Sequence, residues 1–458
     1  MKRFLIHNFG CQMNVLDSER IEDLLLADGW FPASSEQDAD LIIFNTCCVR
    51  GSAEERALGR LTTLKPWRLE REDRILALCG CIAQKDGDGL LQRFSFLDLV
   101  IGTRDYAHLP DILEDILRTG KRGAFIEGIA DERIEISAPR RGAPCSFVTI
   151  MYGCNNYCSY CIVPYVRGPE VSRSPADIVA EISALAAMGT REVTLLGQNV
   201  NSYRAPECAL DFPGLLHLIC REVPDLARIR FTTSHPRDAS DQLIRAVVDL
   251  PAVCEQFHIP AQSGSDHVLR RMNRGYSADD YRCLVARIRN AIPRAVITTD
   301  LLVGFPGETQ EDFRDTLLLA EDVQWDSAFT FIYSIRPGTA AESMPDDVPF
   351  EVKRARVAEL IMLQESISAE KNRALVGSTV EVLAERVSRR NPGDLAGRDR
   401  GGRTVVFPGE ASLIGTILPV TVLKTTPHTL AGETAAFGEI GGASGNTALN
   451  AMESHRHD

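Results

Sequence analysis

Short apolar runs alternate with amphipathic segments along the first 140 residues. Three of these runs have the length of strands, namely residues 4–6, 41–44 and 75–78. After the first run, apolar positions recur at helical spacing around Ile21 and Leu25. We expect Asp17-Ser18 to cap this helix and Gly29 to stand near its end. The alternation predicts an N-terminal α/β domain with a parallel sheet over residues 1–140.

The same alternation continues through the middle of the chain with six further strand and helix units. Strands are predicted near residues 147–151, 192–196, 228–232, 254–258, 296–303 and 328–333. Ser174-Pro175 is typical of a helix start, and Gly189 is placed to end that helix. Six consecutive units predict a central partial (β/α)6 barrel over residues 141–374. In such barrels the chemistry lies at the C-terminal ends of the strands.

The pattern changes after a long predicted helix at about residues 350–374. Three short β-rich runs follow, at residues 379–384, 404–407 and 418–424. With glycine between them, they predict a small C-terminal β-barrel over residues 375–437. Residues 438–458 are rich in Gly, Ser, Asn and Ala and predict a disordered tail. The fold class is therefore α/β with a small all-β domain at the end.

Charge and cysteine content narrow the function classes. The chain has 458 residues and a net charge of -13, which argues against broad nucleic-acid binding but allows a local basic patch. The N-terminal segment lacks the apolar stretch of a signal peptide, and no run has the length of a membrane span, so we expect a cytoplasmic protein. In such a chain the 13 cysteines favour metal binding or chemistry over disulfides.

A CxxxCxxC motif follows the first predicted barrel strand and contains Cys154, Cys158 and Cys161. A [4Fe–4S] cluster normally takes four cysteines, so three leave one iron open for a ligand. That iron can chelate the amino and carboxylate groups of S-adenosylmethionine (SAM), and one electron can then release a 5′-deoxyadenosyl radical. A structural zinc knuckle is the alternative. It needs four closed ligands, and no second cysteine pair follows at suitable spacing.

A second set of cysteines stands just beyond the three early strands. Cys11 follows the first run, Cys47 and Cys48 the second, and Cys79 and Cys81 the third. Because parallel strands end at one edge of a sheet, three thiolates can converge there on a second cluster. The pattern does not choose between Cys47 and Cys48, or between Cys79 and Cys81. Buried thiols of the core are the alternative.

Several ordered motifs extend this picture over residues 3–436. They are NFGCQMNVLDSE, FNTCCVRGSAEE, CGCIAQ, VIGTRD, GCNNYCSYCIVPYVRGPEVSR, LLGQNVNSY, HIPAQSGSD, LVGFPGET and YSIRPGTAA. Together they resemble the methylthiotransferase family of radical SAM enzymes, and the last domain looks like a TRAM domain, an RNA-binding module. The resemblance implies that an auxiliary cluster is bound by Cys11, Cys47 and Cys81. It implies that the radical cluster is bound by Cys154, Cys158 and Cys161. Cys48 and Cys79 are left as neighbours, and Cys48 departs from the small polar residue expected there.

The resemblance also implies an activity. GQNVNSY and VPYVRGPEVSR look like the branch that methylthiolates C2 of N6-isopentenyladenosine at position 37, beside the tRNA anticodon. One SAM methylates a sulfur of the auxiliary cluster, and a second supplies the radical that removes the C2 hydrogen. Implied partners are a tRNA anticodon stem-loop and an electron donor such as flavodoxin or ferredoxin, with the protein as a monomer. A ribosomal-protein or threonylcarbamoyladenosine substrate, a two-cluster electron-transfer protein and a zinc scaffold remain alternatives.

Further polar residues are predicted to contact SAM or substrate because they follow barrel strands. They are Gln198, Asn199, Asn201, Ser234, His235, Gln262, Ser263 and Asp300. Ordinary loop polarity is the alternative for each. Arg336 is a candidate for a phosphate contact. The last domain holds an arginine cluster predicted to contact the tRNA backbone. It comprises Arg386, Arg389, Arg390, Arg398, Arg400 and Arg403.

Overall fold

The computed structural model describes residues 1–48, 51–128 and 143–434, with the backbone alone for residues 51–53. Three units follow one another along the chain. The predicted boundary near residue 140 and the predicted tail 438–458 lie outside the described residues. Within those ranges, no helix has the length and apolar character needed to cross a membrane.

The N-terminal unit is a six-stranded, wholly parallel sheet, as predicted, with strand order β2-β1-β3-β4-β5-β6. Its elements are β1 Arg3–Phe9, α1 Gln12–Ala27, β2 Phe31–Pro32, β3 Leu41–Thr46, α2 Gly51–Thr63, α3 Lys65–Glu70, β4 Ile75–Gly80, α4 Cys81–Asp86, α5 Asp88–Arg93, β5 Leu99–Ile101, α6 Leu109–Thr119 and β6 Gly123–Phe125. Every residue of β3 and β4 is buried. Helices cover both faces of these strands, which explains their near-continuous apolar sequence.

The predicted cap of helix α1 is wrong. The helix begins directly after Cys11, and the side chain of Asn14 accepts a hydrogen bond from the Cys11 backbone N–H at 3.3 Å. Asp17 and Ser18 lie inside the helix. Asp17 is buried, and its carboxylate accepts a hydrogen bond from Arg167 at 2.8 Å. Asp17, which looks like part of a helix cap in sequence, instead forms a contact between domains.

The central unit is the predicted partial barrel. Its elements are β7 Cys145–Thr149, β8 Met151–Tyr152, α7 Val163–Arg167, β9 Val171–Ser172, α8 Pro175–Ala187, β10 Glu192–Leu196, α9 Phe212–Glu222, β11 Arg228–Thr232, α10 Asp241–Asp249, β12 Gln256–His258, α11 Asp266–Arg271, α12 Ala278–Ala291, β13 Val296–Val303, α13 Gln310–Val323, β14 Ser327–Ile332 and α14 Phe350–Arg373. Two parallel three-stranded sheets, β7-β10-β11 and β12-β13-β14, are joined by a bridge from Ile229 to Val253. The first predicted strand is divided: β7 ends at Thr149, and β8 pairs with β9 in antiparallel fashion.

The C-terminal unit is a closed barrel of strand order β15-β16-β17-β19-β18. Its strands are β15 Thr379–Val387, β16 Asp394–Asp399, β17 Thr404–Pro408, β18 Ile417–Thr425 and β19 Thr429–Glu433. Sequence analysis predicted β15, β17 and β18 and missed the other two. The missed strands, DLAGRD and TLAGE, contain few β-branched or aromatic residues, and pairing on both sides holds them extended.

The two outer units pack against opposite ends of the central barrel. The turn after β16 lies at the N-terminal ends of the barrel strands, where Arg228 donates to the Arg398 carbonyl at 2.9 Å and Arg230 to the Arg400 carbonyl at 2.7 Å. The N-terminal unit lies at the other end, where Met13 and Leu16 pack with Tyr152 and Leu196. Its cysteine-bearing sheet edge therefore faces the C-terminal mouth of the barrel.

Candidate active site

The CxxxCxxC segment forms a loop whose backbone hydrogen-bonds to the segment between helices α11 and α12. Gly153 opens the loop with φ +72°, and a Cβ there would overlap the Pro169 carbonyl oxygen. Ser159 N–H donates to the Met272 carbonyl at 3.0 Å, and the Asn273 side chain donates to the Tyr157 carbonyl at 3.0 Å. These bonds fix the loop against the segment between α11 and α12. The three thiols are thus held on a supported loop at the barrel mouth.

Two polar side chains face the sulfur atoms of this loop. Asn156 Nδ2 lies 3.5 Å from Cys154 Sγ, and Arg274 Nη1 lies 3.3 Å from Cys158 Sγ. Burial raises the pKa of the Cys154 thiol and raises that of Cys161 to about 12. Iron must displace the protons of these two thiols at neutral pH. Hydrogen-bond donors directed at these sulfur atoms would stabilise the negative charge on the thiolate ligands of a cluster.

The early cysteines meet at the edge of the N-terminal sheet as two thiol pairs. A hydrogen bond from Cys47 is the main cause that lowers the pKa of Cys11 to about 6. A hydrogen bond from Cys48 is the main cause that lowers the pKa of Cys81 to about 7. The positive charge of Arg167 lowers both values further. The structure therefore brings Cys11, Cys47, Cys48 and Cys81 together.

A buried polar network sets the spacing of the loops that carry these thiols. The Asn14 side chain donates to Asn45 Oδ1 at 3.0 Å and to the Thr46 carbonyl at 3.1 Å. Thr46 Oγ1 donates to the Cys79 carbonyl at 2.6 Å. The Cys79 thiol is directed to the other side of the sheet, into a different apolar cluster from that of Cys81. Cys81 therefore lies beside Cys48, whereas Cys79 does not.

Neither cysteine set has the spacing of a site for one metal ion. Within the described residues, the group whose three ligand atoms all lie within 4.8 Å of one another is Cys145, Glu192 and Glu385. Glu192 already forms a salt bridge with Arg230 at 2.8 Å and lies 3.6 Å from Arg398, so this group is part of an ion-pair network. In neither cysteine set do three thiol sulfur atoms all lie within that distance of one another.

Helix α7 connects the two cysteine sets. It begins two residues after Cys161 and ends at Arg167, and its five residues span about 7.5 Å. Arg167 is buried, forms the 2.8 Å salt bridge with Asp17 and hydrogen-bonds the Cys81 thiol. Arg20 donates to Tyr152 Oη at 2.7 Å across the same junction. A small cleft opens here, lined by Asp17, Arg20, Thr103, Arg104, Tyr106, Ala107, Tyr152 and Arg167.

Comparison with known proteins agrees with this three-part arrangement. Residues 3–102 match the Uncharacterized protein family UPF0004, residues 148–320 the Radical SAM superfamily and residues 373–435 the TRAM domain. The tRNA-2-methylthio-N(6)-dimethylallyladenosine synthase of Pelotomaculum thermopropionicum is 45% identical over 427 residues, which are 92% of this chain and 95% of that protein. The protein of the same name from Moorella thermoacetica is 45% identical over 94% of this chain and 98% of its own length.

The chain belongs to the tRNA-2-methylthio-N(6)-dimethylallyladenosine synthase family. This methylthiotransferase is thus a radical SAM enzyme, and its family implies a [4Fe–4S] cluster and SAM. Among solved structures, the radical SAM methyltransferase TsrM of Kitasatospora setae superposes with a TM-score of 0.54 at 15% identity, over 75% of each chain. That similarity concerns the fold alone.

Buried polar atoms at the barrel mouth of the methylthiotransferase lack a hydrogen-bond partner among the described residues. They are Gln198 Oε1, Asn201 Nδ2 and His235 Nε2. Burial, followed by the charge of Arg274, lowers the pKa of His235 to about 2, so its imidazole is neutral. A buried polar group without a hydrogen bond is costly. A polar ligand such as SAM would supply the hydrogen bonds that these neutral donors and acceptors lack.

Other predicted contact residues of the methylthiotransferase are used within the protein. The Asn199 side chain donates to Asp238 at 2.7 Å and accepts from His235 N–H at 3.0 Å, so both ends of its amide are occupied. Ser234 Oγ lies 3.1 Å from Asn201 Oδ1. The backbone of Gln262 has φ +68° and bonds to Asp300 and Leu302 on β13. The Asp300 carboxylate lies 3.6 Å from His258 Nε2. Ser263 is buried and its Oγ lies 3.3 Å from Thr316 Oγ1.

The arginine predictions divide into two groups. Arg336 forms an ion pair with Glu54 at 3.5 Å between the barrel and the N-terminal unit, and its phosphate contact stays a prediction. Arg398, Arg400 and Arg403 bind Glu385, Glu255 and Asp326 respectively, each at 2.9 Å or less. The bonds of Arg400 and Arg403 cross to the central unit, whereas that of Arg398 stays within the small barrel. Arg386, Arg389 and Arg390 are exposed and stay predicted RNA contacts.

Arg167 and Arg274 are the site residues that sequence reasoning missed. Arg167 ends the VPYVR segment, and Arg274 follows HIPAQSGSD in the segment RRMNRG. A lone arginine in a polar segment is usually a solvated side chain, and no periodicity distinguishes it. Only packing between distant segments shows that each guanidinium is buried beside thiols.

Proposed function

We propose that this methylthiotransferase modifies tRNA by replacing the C2 hydrogen of N6-isopentenyladenosine at position 37 with a methylthio group. It uses two SAM molecules and two [4Fe–4S] clusters. Cys154, Cys158 and Cys161 bind the radical cluster, and an auxiliary cluster is bound by Cys11, Cys47 and Cys81. The observation that carries the proposal is that one short helix, α7, joins the two cysteine sets at a single junction.

The chain supplies position, charge and exclusion of water. The clusters and SAM, when bound, supply the radical and the sulfur that C–H to C–S conversion requires. Gln198, Asn201 and His235 offer polar atoms to SAM at the barrel mouth. The packing of Met13 and Leu16 on Tyr152 and Leu196 closes one side of the junction to water. A radical formed there is shielded from solvent, which limits side reactions.

The substrate base reaches this junction from a single-stranded loop, where it can leave the stack. The relatives named above are synthases of a 2-methylthio nucleoside of tRNA, which supports that substrate. Arg386, Arg389 and Arg390 are exposed on the TRAM domain and suit a contact with the tRNA backbone. A flavodoxin or ferredoxin as electron donor, a monomeric state and a cytoplasmic location complete the proposal.

The test is anaerobic reconstitution followed by incubation with reductant, SAM and tRNA that carries N6-isopentenyladenosine. Mass spectrometry of the digested tRNA should show the 2-methylthio nucleoside together with 5′-deoxyadenosine. The triple variant Cys11→Ala, Cys47→Ala and Cys81→Ala should still cleave SAM but form no methylthio product. The variant Cys154→Ala should form neither product.

Each other outcome points to a different function. If 5′-deoxyadenosine forms with an unmodified tRNA, another substrate is indicated, such as threonylcarbamoyladenosine or a ribosomal protein. If protein with two confirmed clusters forms neither product, the two-cluster electron-transfer alternative is favoured. Zinc in place of iron and sulfide would support a structural role for the cysteines.

A further inference from the structure

Arg274 is a buried cation beside the radical-cluster cysteines. Its side chain is 5% exposed. The guanidinium donates three hydrogen bonds: Nη1 to Cys158 Sγ at 3.3 Å, Nη2 to the Pro260 carbonyl at 2.8 Å and Nε to Tyr276 Oη at 2.9 Å. Tyr276 Oη in turn lies 2.8 Å from the Ala261 carbonyl. Hydrogen bonds therefore hold all three nitrogen atoms of the guanidinium, and one of these bonds is directed at a sulfur atom.

The partners of Arg274 differ from those of four other buried arginines in the protein. Arg167, Arg173, Arg230 and Arg356 each form a salt bridge with a carboxylate, namely Asp17, Glu181, Glu192 and Glu308. The hydrogen bonds of Arg274 go instead to a carbonyl, a phenol and a thiol. Burying an ion without a counter-charge is expensive. Within the described residues no salt bridge neutralises Arg274, and an anionic group bound by the cysteines would supply its counter-charge.

We propose that Arg274 is a positioning residue that raises the reduction potential of the radical cluster through its hydrogen bond to Cys158. This inference depends on the proposed binding of that cluster by Cys154, Cys158 and Cys161. A [4Fe–4S] cluster with three thiolate ligands is anionic, and one-electron reduction adds a further negative charge. A fixed cation at 3.3 Å from a ligand sulfur stabilises the reduced form more than the oxidised form. Reduction must precede SAM cleavage, so Arg274 makes the first electron transfer easier.

The auxiliary set provides an internal contrast. Arg167 contacts the Cys81 thiol, but Asp17 pairs with the same guanidinium at 2.8 Å. The positive charge beside the auxiliary cysteines is thus paired with a carboxylate, whereas the described residues show no salt bridge for Arg274. Arg274 acts on the radical cluster alone.

The experiment measures the potential of the radical cluster by itself. The reference protein is the triple variant Cys11→Ala, Cys47→Ala and Cys81→Ala, reconstituted to one cluster. Arg274→Gln is added to it, and both proteins are titrated with reductant while electron paramagnetic resonance follows the reduced cluster. We expect the ratio of reduced to oxidised cluster at a fixed potential to fall at least tenfold, which is about 59 mV for one electron. Arg270→Gln removes an exposed charge from helix α11, four residues away in sequence, and should leave the ratio unchanged.

A second measurement needs no substitution at Arg274. The one-cluster triple variant, labelled with 15N-arginine, is reduced without SAM, and a weak 15N coupling to the cluster should appear that the same protein without the label lacks. Absence of this coupling in a reduced cluster, or an unshifted potential in Arg274→Gln, overturns the role of Arg274 and leaves the proposed function standing. A reference protein that holds no cluster overturns the ligand assignment itself.

Discussion

The substitution Gly80→Ala tests how closely β3 and β4 must approach for the auxiliary cysteines to meet. Gly80 has φ +91° and ψ -156°, a conformation that is nearly restricted to glycine. A Cβ at this position would overlap the Thr46 carbonyl oxygen and lie 2.7 Å from Asn45 Oδ1. Thr46 precedes Cys47 and Gly80 precedes Cys81. Any shift that relieves the overlap therefore moves two predicted ligands apart.

Two contributions set the size of the effect. The backbone conformation costs an alanine about 1–3 kcal/mol. Overpacking against neighbours that are mostly backbone adds about 1–3 kcal/mol. The sum of about 2–6 kcal/mol is a large part of the about 5–15 kcal/mol that holds a typical domain together. We expect Gly80→Ala to fold with reduced stability and with the sheet edge displaced.

The assay compares Gly80→Ala with Gly59→Ala. Gly59 lies in helix α2, and among the described residues a Cβ at this position would meet no atom within 4 Å. Alanine is favoured over glycine in a helix by about 1 kcal/mol, so the control should be neutral or stabilised. Denaturant unfolding of the cluster-free proteins gives the stability, and iron analysis after reconstitution gives the cluster content. Gly80→Ala should lose the iron of the auxiliary cluster, which the control keeps. Full iron content together with unchanged stability would refute the reasoning.

Three further predictions concern charge and protonation. Asp17→Asn should destabilise the protein by about 3–5 kcal/mol in denaturant unfolding, because Arg167 is left buried without its partner; an added Arg167→Met should restore much of the loss. The double variant Arg389→Gln and Arg390→Gln should weaken tRNA binding and reduce the slope of log affinity against log salt by about 1.5, whereas parallel slopes would exclude both from the interface. In the folded cluster-free protein, alkylation of Cys11 should rise with a midpoint near pH 6, because its pKa is lowered to about 6 and the thiolate is the reactive form. A rate that keeps rising above about pH 8, as for an ordinary thiol, would contradict that environment.

Much of the fold follows from local sequence. The apolar runs at residues 41–44 and 75–78 are buried on both faces of a parallel sheet, and such strands need a continuous apolar sequence. Ser174-Pro175 begins helix α8, and Gly189 follows it in a left-handed conformation, as predicted. Six strand and helix units in sequence order form the partial barrel because sequential parallel units become neighbours in space. Spacing alone also placed the CxxxCxxC loop at the barrel mouth.

The roles of individual polar residues depended on the tertiary structure. Asp17 resembles a helix cap in sequence, yet it pairs with an arginine 150 positions later. Arg398, Arg400 and Arg403 resemble a basic RNA-binding patch, yet carboxylates of their own barrel and of the central unit neutralise them. Local pattern fixes the period and ends of an element, which depend on neighbours in the chain. The partner of a buried charge depends on which distant segments meet, and no local pattern encodes that meeting.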